Sequence, residues 1–288
     1  MILVTGAAGK TGRAVVRALV SGGHSVRALV FREEQVEPLT HLGAADITVG
    51  DMCDPSAVWA AMRGTDAVYF ICPNMHPDEH AIGLAAIEAA SHTGVGRFVY
   101  HSVLLPAVEE MPHHWQKHLV EMELVASGLE HVILRPCAYM QNVLPRWSEI
   151  VDRGEYAVPY SVETRLSIVD LRDVAEAAAG ALSAPGLEGD AYDLCGPEAL
   201  SQEDVASILT DALRTPVRAS VVASDEWELG ARTAGLSDYA IESLLMMFDY
   251  YQRNDFCGSS TRLEELLGRP ATTFMGFVRR SCSGADQD

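Results

Sequence analysis

Long apolar runs, paired cysteines and basic charge are all scarce in this sequence, and each scarcity removes a class of function. No apolar run approaches the roughly 20 residues that a membrane-spanning helix needs, so no membrane partner is expected. The six cysteines (Cys53, Cys72, Cys137, Cys195, Cys257 and Cys282) are scattered without the spacing of a zinc or redox motif, so no metal is expected. Several lie in or beside apolar runs, where a reduced, buried thiol is the expected state. Lys and Arg number 21 against 40 Asp and Glu, a net charge of −19, and the basic residues form no stripe. Nucleic acid would meet a repulsive field here and is not expected as a partner. An anionic cofactor is not excluded, because a phosphate site needs only local amides and one or two cations. Nothing before the first apolar segment reads as a targeting peptide, so a cytoplasmic location is expected.

The chain does have 288 residues, 48% of them hydrophobic and 21% charged, enough for one large domain or a domain with an appended lobe. It is organised around Val4-Thr5-Gly6-Ala7-Ala8-Gly9-Lys10-Thr11-Gly12. Apolar residues that can form a buried strand precede this stretch, and Arg13 to Val20 has helical spacing after it. The glycines free the turn and let backbone approach a ligand, and the helix start offers unpaired N–H groups to a phosphate. An ordinary tight turn is the plain alternative. Strand, glycine turn and helix in that order favour a dinucleotide site, with Gly6, Ala8, Gly9, Lys10, Thr11 and Gly12 as its residues.

Gly22-Gly23 is a natural helix stop, and His24 to Phe31 reads as a second strand. An NAD site places Asp or Glu at the end of that strand, whereas NADP needs a cation for the 2′-phosphate. Here the strand ends at Phe31-Arg32; Arg32 suits a phosphate, Lys10 can add a second cation, and NADP(H) is favoured. Glu33 and Glu34 follow and are expected to face water, and a solvated Arg32 is the alternative.

Further strands are expected at Ala45–Met52, Asp66–Cys72, Arg97–Ser102 and Glu130–Pro136, alternating with helices from Asp54-Pro55, about His80 and about Met111. Near-continuous apolar strands alternating with helices argue for a doubly wound α/β fold with a parallel sheet. Ligands of such sheets bind at the carboxyl ends of the strands, which adds Asp51, Met52, Cys72, Pro73 and Ser102 to the candidates. Lys117 has Glu121 at i+4, so a surface ion pair is its plainest reading. Leu171–Leu182 is an Ala-rich helix, Asp190–Cys195 a strand returning to the main sheet, and Ser201–Asp204 has capping-box spacing before a helix to Leu213. The large apolar residues between Leu236 and Tyr251 either pack the lobe or line part of a pocket for a flat, apolar substrate.

The turn Thr5-Gly6-x-x-Gly9-x-x-Gly12, Gly50-Asp51, Tyr100-His101-Ser102-Val103, His114-Trp115-Gln116-Lys117 and Ile133-Leu134-Arg135-Pro136 resemble the NmrA-like atypical short-chain dehydrogenases/reductases. So do Tyr139-Met140-Gln141-Asn142, Ser167 to Ala175 and Tyr192 to Glu198. The likeness covers roughly the first two hundred residues. It implies a Rossmann domain binding NADP(H), with a smaller α+β C-terminal lobe closing over the nicotinamide. The expected division is residues 1–136 plus about 167–196 for the cofactor domain, 137–166 and 197–280 for the substrate lobe, and a disordered tail over 281–288. The resemblance places the family's ribose-binding lysine on Lys117, its serine on Ser102 and a cofactor contact on Pro136. The catalytic tyrosine, four residues before the lysine, falls on His113. Tyr139, Met140 and Asn142 are the expected substrate residues, and Tyr139, just past Pro136, is either another candidate for the missing acid or pocket wall.

The function these features imply is NADPH-dependent reduction of a bulky small-molecule carbonyl, an aromatic polyketide or a quinone-like compound. With no tyrosine in the usual place, the proton comes from His113, from water or from an acidic hydroxyl of the substrate itself. The alternative is an NADP(H)-sensing redox regulator that turns nothing over. Oligomeric state is not legible in the sequence.

Overall fold

Ile2, Leu3 and Val4 bury all three side chains, which a short strand covered on both faces requires, and they form the central strand β1 (Ile2–Val4). The computed structural model describes residues 1–283. From β1 the chain enters α1 (Lys10–Ser21), whose buried Thr11, Gly12, Val15, Val16 and Leu19 recur at helical spacing and seat one face inward. Then follow β2 (Val26–Val30), a 3₁₀ turn at Glu33–Gln35, α2 (Val36–His41), β3 (Asp46–Val49), α3 (Pro55–Met62) and β4 (Ala67–Phe70). Asp54 caps α3 by accepting the Ser56 amide at 2.9 Å, with Pro55 in the first helical position. The series continues with α4 (Glu79–Thr93), β5 (Arg97–His101), α5 (Pro112–Ala126) and β6 (His131–Pro136).

Beyond β6 lie β7 (Ala138–Tyr139), a 3₁₀ segment at Met140–Arg146, α6 (Trp147–Arg153), β8 (Glu155–Val158) and β9 (Leu166–Val169). Next are α7 (Leu171–Ser183), β10 (Ala191–Leu194), β11 (Ala199–Leu200), α8 (Gln202–Leu213) and β12 (Arg218–Val221). The helices α9 (Ser224–Thr233), α10 (Asp238–Arg253), α11 (Thr261–Leu267) and α12 (Phe274–Cys282) complete the described chain.

The chain divides into two compact units. The first comprises Met1–Val108, His113–Pro136 and Arg172–Asp193. Its seven-stranded sheet runs in the order β10-β6-β5-β4-β1-β2-β3, and the pairs from β6 across to β3 are all parallel. The strand order reverses between β1 and β4, as in a doubly wound Rossmann sheet, and the crevice outside the carboxyl ends there is where such sheets take ligands. Leu3, Val68, Phe70, Phe98 and Tyr100 from the sheet pack with Ala86, Ile87, Val120 and Leu124 from α4 and α5 to form the core.

The second unit comprises Glu109–Pro112, Cys137–Leu171 and Leu194–Asp288. It holds a three-stranded sheet, β11-β9-β7, and a two-stranded parallel pair, β12-β8. Met140, Val143, Ile150 and Leu209 pack against Phe274, Phe277 and Val278 of α12 in its core. The capping box at α8 is formed reciprocally, Ser201 Oγ accepting the Asp204 amide and Asp204 accepting the Ser201 amide, each at 3.0 Å.

Three boundaries differ from the sequence reading. The crossover back to the large sheet begins at Arg172, not 167, because β9 is already committed to β7 and β11, and the Ser167 amide donates to the Phe256 carbonyl at 3.0 Å. It ends at Asp193 rather than 196. Ser281 and Cys282, assigned to a disordered tail, close α12, where the Ser281 side chain is buried and donates to the Phe277 carbonyl at 3.1 Å. The rest of that expected tail, from residue 284, lies outside the described residues. Among the described residues no helix is long and apolar enough to cross a membrane.

Candidate active site

The turn between β1 and α1 is built by backbone close approach. Gly6 has φ +55°, a left-handed conformation that favours glycine, and a Cβ there would sit 3.0 Å from the Ile71 side chain. A Cβ on Gly12 would fall 2.3 Å from the Gly6 carbonyl oxygen and 2.7 Å from Ala7 Cα, so α1 packs on the turn only because residue 12 has no side chain. Thr5 ties the turn to the exit of β4: its hydroxyl donates to the Ile71 carbonyl and accepts the Ile71 amide, both at 2.9 Å. Gly9 is the N-cap of α1 and supplies no side-chain hydrogen bond to the helix start, whose dipole favours an anion. No acidic residue stands in that first turn, and Lys10 occupies its first position. Partial desolvation lowers the Lys10 ammonium below its ordinary pKa. Ala8 is half-buried, and Thr11 is 7% exposed with its side chain in the helix seam. The residues present therefore fit the phosphates of a dinucleotide: a helix start with no side-chain cap, a glycine turn that packs by backbone close approach, and a neighbouring cation.

Arg32 is exposed where the chain leaves β2, immediately before the 3₁₀ turn, and the Gln35 side chain accepts its amide at 3.0 Å. Glu33 and Glu34 lie in that turn and are exposed. Asp51, past β3, accepts the Cys53 amide at 2.8 Å in a local turn, and Met52 beside it is 7% exposed. Past β4, Cys72 is 5% exposed and Pro73 half-buried. Burial, with the Glu79 carboxylate as the next cause, pushes the Cys72 thiol up and keeps it protonated.

Three side chains were expected at the reaction, and the structure gives each a different standing. Lys117 does not pair with Glu121. Its Nζ lies 2.5 Å from Oε1 of Glu79, a carboxylate 1% exposed, and 5.9 Å from the centre of the Tyr100 ring. Glu121 instead receives Arg135 through Nε at 2.9 Å and a second nitrogen at 2.5 Å, a two-pronged pair tying α5 to β6. Ser102 is drawn into the same pair: its hydroxyl donates to Glu121 Oε1 at 2.5 Å, and the residue is 2% exposed. That proton is committed to a carboxylate, which corrects the expectation that Ser102 faces the reacting group.

His113 also departs from its expected role. It is 6% exposed, its Nδ1 has no hydrogen-bond partner among the described residues, and its ring meets His114 edge-on at 4.5 Å. Burial first, then the adjoining His114 ring and the Lys117 ammonium, lowers its pKa to about 3. The ring is neutral near pH 7 and carries no readily released proton, so it does not replace the missing tyrosine as acid. Glu79 was not singled out from the sequence, because an acidic residue in a helix's first turn is favoured by the dipole alone and signals nothing further.

Pro136 is buried at the end of β6, and its carbonyl accepts the Leu104 amide at 2.9 Å. In the second unit Tyr139, Met140 and Asn142 line one cavity together with Tyr156, Tyr160 and Gln202. The cavity encloses about 50 Å³, room for the edge of one ring and well below the volume of a site for a bulky ligand. The Tyr156 hydroxyl donates to Gln202 Oε1 at 2.9 Å at its wall. No residue of α10 lines this cavity; Phe248 and Tyr251 contribute indirectly, packing on Tyr160 at ring distances of 5.9 and 5.4 Å. Within the stretch from Leu236, Ile241, Phe248 and Tyr251 are buried, whereas Leu236 and Met246 are exposed. No cluster of three or more His, Cys, Asp or Glu among the described residues is arranged to hold a metal ion.

Similarity to known proteins covers nearly the whole chain. The NAD(P)H azoreductase of Xenophilus azovorans is 31% identical over 281 residues, 97% of each chain. The (4-alkanoyl-5-oxo-2,5-dihydrofuran-3-yl)methyl phosphate reductase of Streptomyces griseus is 32% identical over 282 residues, 95% of each. Among solved structures, the NADPH-dependent quinone oxidoreductase QOR2 of Escherichia coli, complexed with NADPH, superposes with a TM-score of 0.85 at 23% identity, covering 98% of this chain and 100% of that one. The NmrA-like family pattern matches residues 1–271, and this chain belongs to the NmrA-like family.

Proposed function

We propose that the chain is an NADP(H)-dependent oxidoreductase that reduces a flat, aromatic small molecule with a carbonyl or quinone group. The observation that carries the reading is the uncapped start of α1 against the Gly6–Gly12 turn, at the reversal of strand order. Two relatives above 30% identity, both reductases by name, support it.

In this reading the first-turn amides of α1, with Gly9 and Thr11, hold the pyrophosphate, and Lys10 and Arg32 hold the 2′-phosphate. Asp51, Met52, Cys72, Pro73 and Pro136 border the cofactor, and Lys117 holds its nicotinamide ribose. When bound, NADPH supplies the hydride. Tyr139, Met140 and Asn142 are the substrate residues. Neutral His113 and carboxylate-bound Ser102 leave no side-chain acid among the expected catalytic residues. The donors left are the Tyr139 hydroxyl, water and an acidic hydroxyl of the substrate, and we favour the last, such as a phenol beside the carbonyl. The protein's work is placement and exclusion of water.

The same missing acid favours a second reading, a regulator that binds NADP(H) without turnover. Oxidation of NADPH against a panel of quinones and hydroxylated aromatic ketones separates the two. The reductase reading expects turnover with at least one class, faster for ketones bearing an adjacent phenol. Binding of NADPH without turnover on any member favours the regulator.

A further inference from the structure

Glu79 opens α4, and its carboxylate is 1% exposed. A carboxylate that deeply buried needs compensation, and two groups supply it: the Lys117 ammonium at 2.5 Å and the Tyr100 hydroxyl, donating at 3.4 Å. The Tyr100 ring also lies beneath the ammonium, 5.9 Å from its centre. Three elements, α4, β5 and α5, thus converge on one lysine side chain.

The position of this pair matters as much as its chemistry. Tyr100, which meets both members of the pair, is the last residue but one of β5 and lies opposite Phe70, the last residue of β4. The pair therefore stands near the carboxyl ends of the central strands, where ligands of this kind of sheet bind. A lysine is a flexible stem with three rotatable donors, and holding it in one direction loses rotamer freedom. The buried carboxylate fixes that direction before any ligand arrives, while the Lys117 side chain keeps 16% of its surface exposed. Among the described residues nothing else charged is bonded to the lysine: Glu121, four residues on, is taken up by Arg135 and Ser102.

We propose that Glu79 is a positioning residue for cofactor binding: its buried carboxylate holds the Lys117 ammonium in place for the nicotinamide ribose. This rests on the role given to Lys117 above. Glu79 touches neither cofactor nor substrate in this scheme and acts only through the lysine.

The chain has only two lysines, Lys10 and Lys117, which makes a direct test accessible. Protein labelled with ¹⁵N-lysine gives two side-chain signals, and Lys10→Arg assigns them. Titration calorimetry with NADP⁺ then compares native protein, Glu79→Gln, Glu79→Asp and Lys117→Met. The expected result is a Kd raised about ten-fold in Glu79→Gln, the worth of one charge-assisted contact, with partial recovery in Glu79→Asp and a displaced Lys117 signal in Glu79→Gln alone. A Glu79→Gln protein that binds NADP⁺ like the native one while its Lys117 signal moves overturns the proposal. So does a Lys117 signal that Glu79→Gln leaves unmoved. If Glu79→Gln fails to fold, Glu79→Asp carries the test: a Kd equal to that of the native protein overturns the proposal. An unchanged Kd in Lys117→Met overturns the role of Lys117 instead, and native protein that binds no NADP⁺ overturns the functional reading as a whole.

Discussion

Two alanine substitutions in the glycine turn separate what the turn does for the fold from what it does for a ligand. In Gly12→Ala the new Cβ would stand 2.3 Å from the Gly6 oxygen, 2.7 Å from Ala7 Cα and 2.9 Å from Ala7 C. Comfortable separations are about 3.5 Å, and all three neighbours are backbone, so the turn or the helix must move by roughly 1 Å. Overpacking of this kind costs about 1–3 kcal/mol, and with rigid partners the upper end applies, lowering Tm by on the order of 10 °C. In Gly9→Ala the nearest atom is the Gly6 oxygen at 3.3 Å, and the backbone is extended (φ −73°, ψ 167°), which alanine adopts without strain. Its cost to the free protein stays below about 1 kcal/mol. Yet that methyl group would stand at the helix start proposed to receive the phosphate oxygens. Losing two amide-to-phosphate bonds at roughly 1.5 kcal/mol each weakens NADPH binding by about 100-fold. Thermal unfolding with and without NADPH reads both effects. Native-like stabilisation of Gly9→Ala by NADPH would refute the pyrophosphate assignment; a Gly12→Ala protein as stable as the native one would refute the packing argument.

The other predictions are independent of that pair. Arg32→Ser should weaken NADPH binding about ten-fold and leave NADH unchanged, read by calorimetry with both cofactors. Glu121→Gln leaves the half-buried Arg135 without its carboxylate and should cost roughly 3 kcal/mol in a urea titration, the low end for breaking a buried pair because Arg135 keeps some solvent contact. Burial also lowers the pKa of His101 and His113 to about 3 and of His114 to about 4. Folded, these rings stay neutral; unfolded, they take up protons below about pH 6.5, so the stability they contribute is present above that pH and lost as pH falls toward 4. The slope is at most about 4 kcal/mol per pH unit for the three together, and His114→Gln should remove about one proton from it, measured by urea unfolding between pH 7 and 5.

Patterns with a local cause were legible in the sequence. Apolar runs fixed the strands of the large sheet, Asp54-Pro55 and Ser201–Asp204 announced two helix starts, and the glycine spacing announced the turn. Short pairings with distant partners were not legible. β9 looked like part of the crossover because its residues resemble a family motif, while its hydrogen bonds go to β7, β11 and the Phe256 segment. The same limit applied to Lys117. Its helical neighbour Glu121 is visible at i+4, but Glu79 lies 38 positions earlier, and only the folded chain brings the two together. The burial that makes His113 neutral is likewise a tertiary property, since the sequence Pro112-His113-His114 alone fits an exposed helix start.

The central claim is that the cofactor is consumed and not merely held. The most direct measurement follows NADPH absorbance after mixing the native protein with a quinone, or with an aromatic ketone carrying a neighbouring phenol. The account predicts multiple turnovers with one of these acceptors, a rate that shows no inflection between pH 6 and 8 from His113, and loss of turnover in Gly9→Ala. Tight binding of NADPH with no oxidation by any acceptor would contradict it.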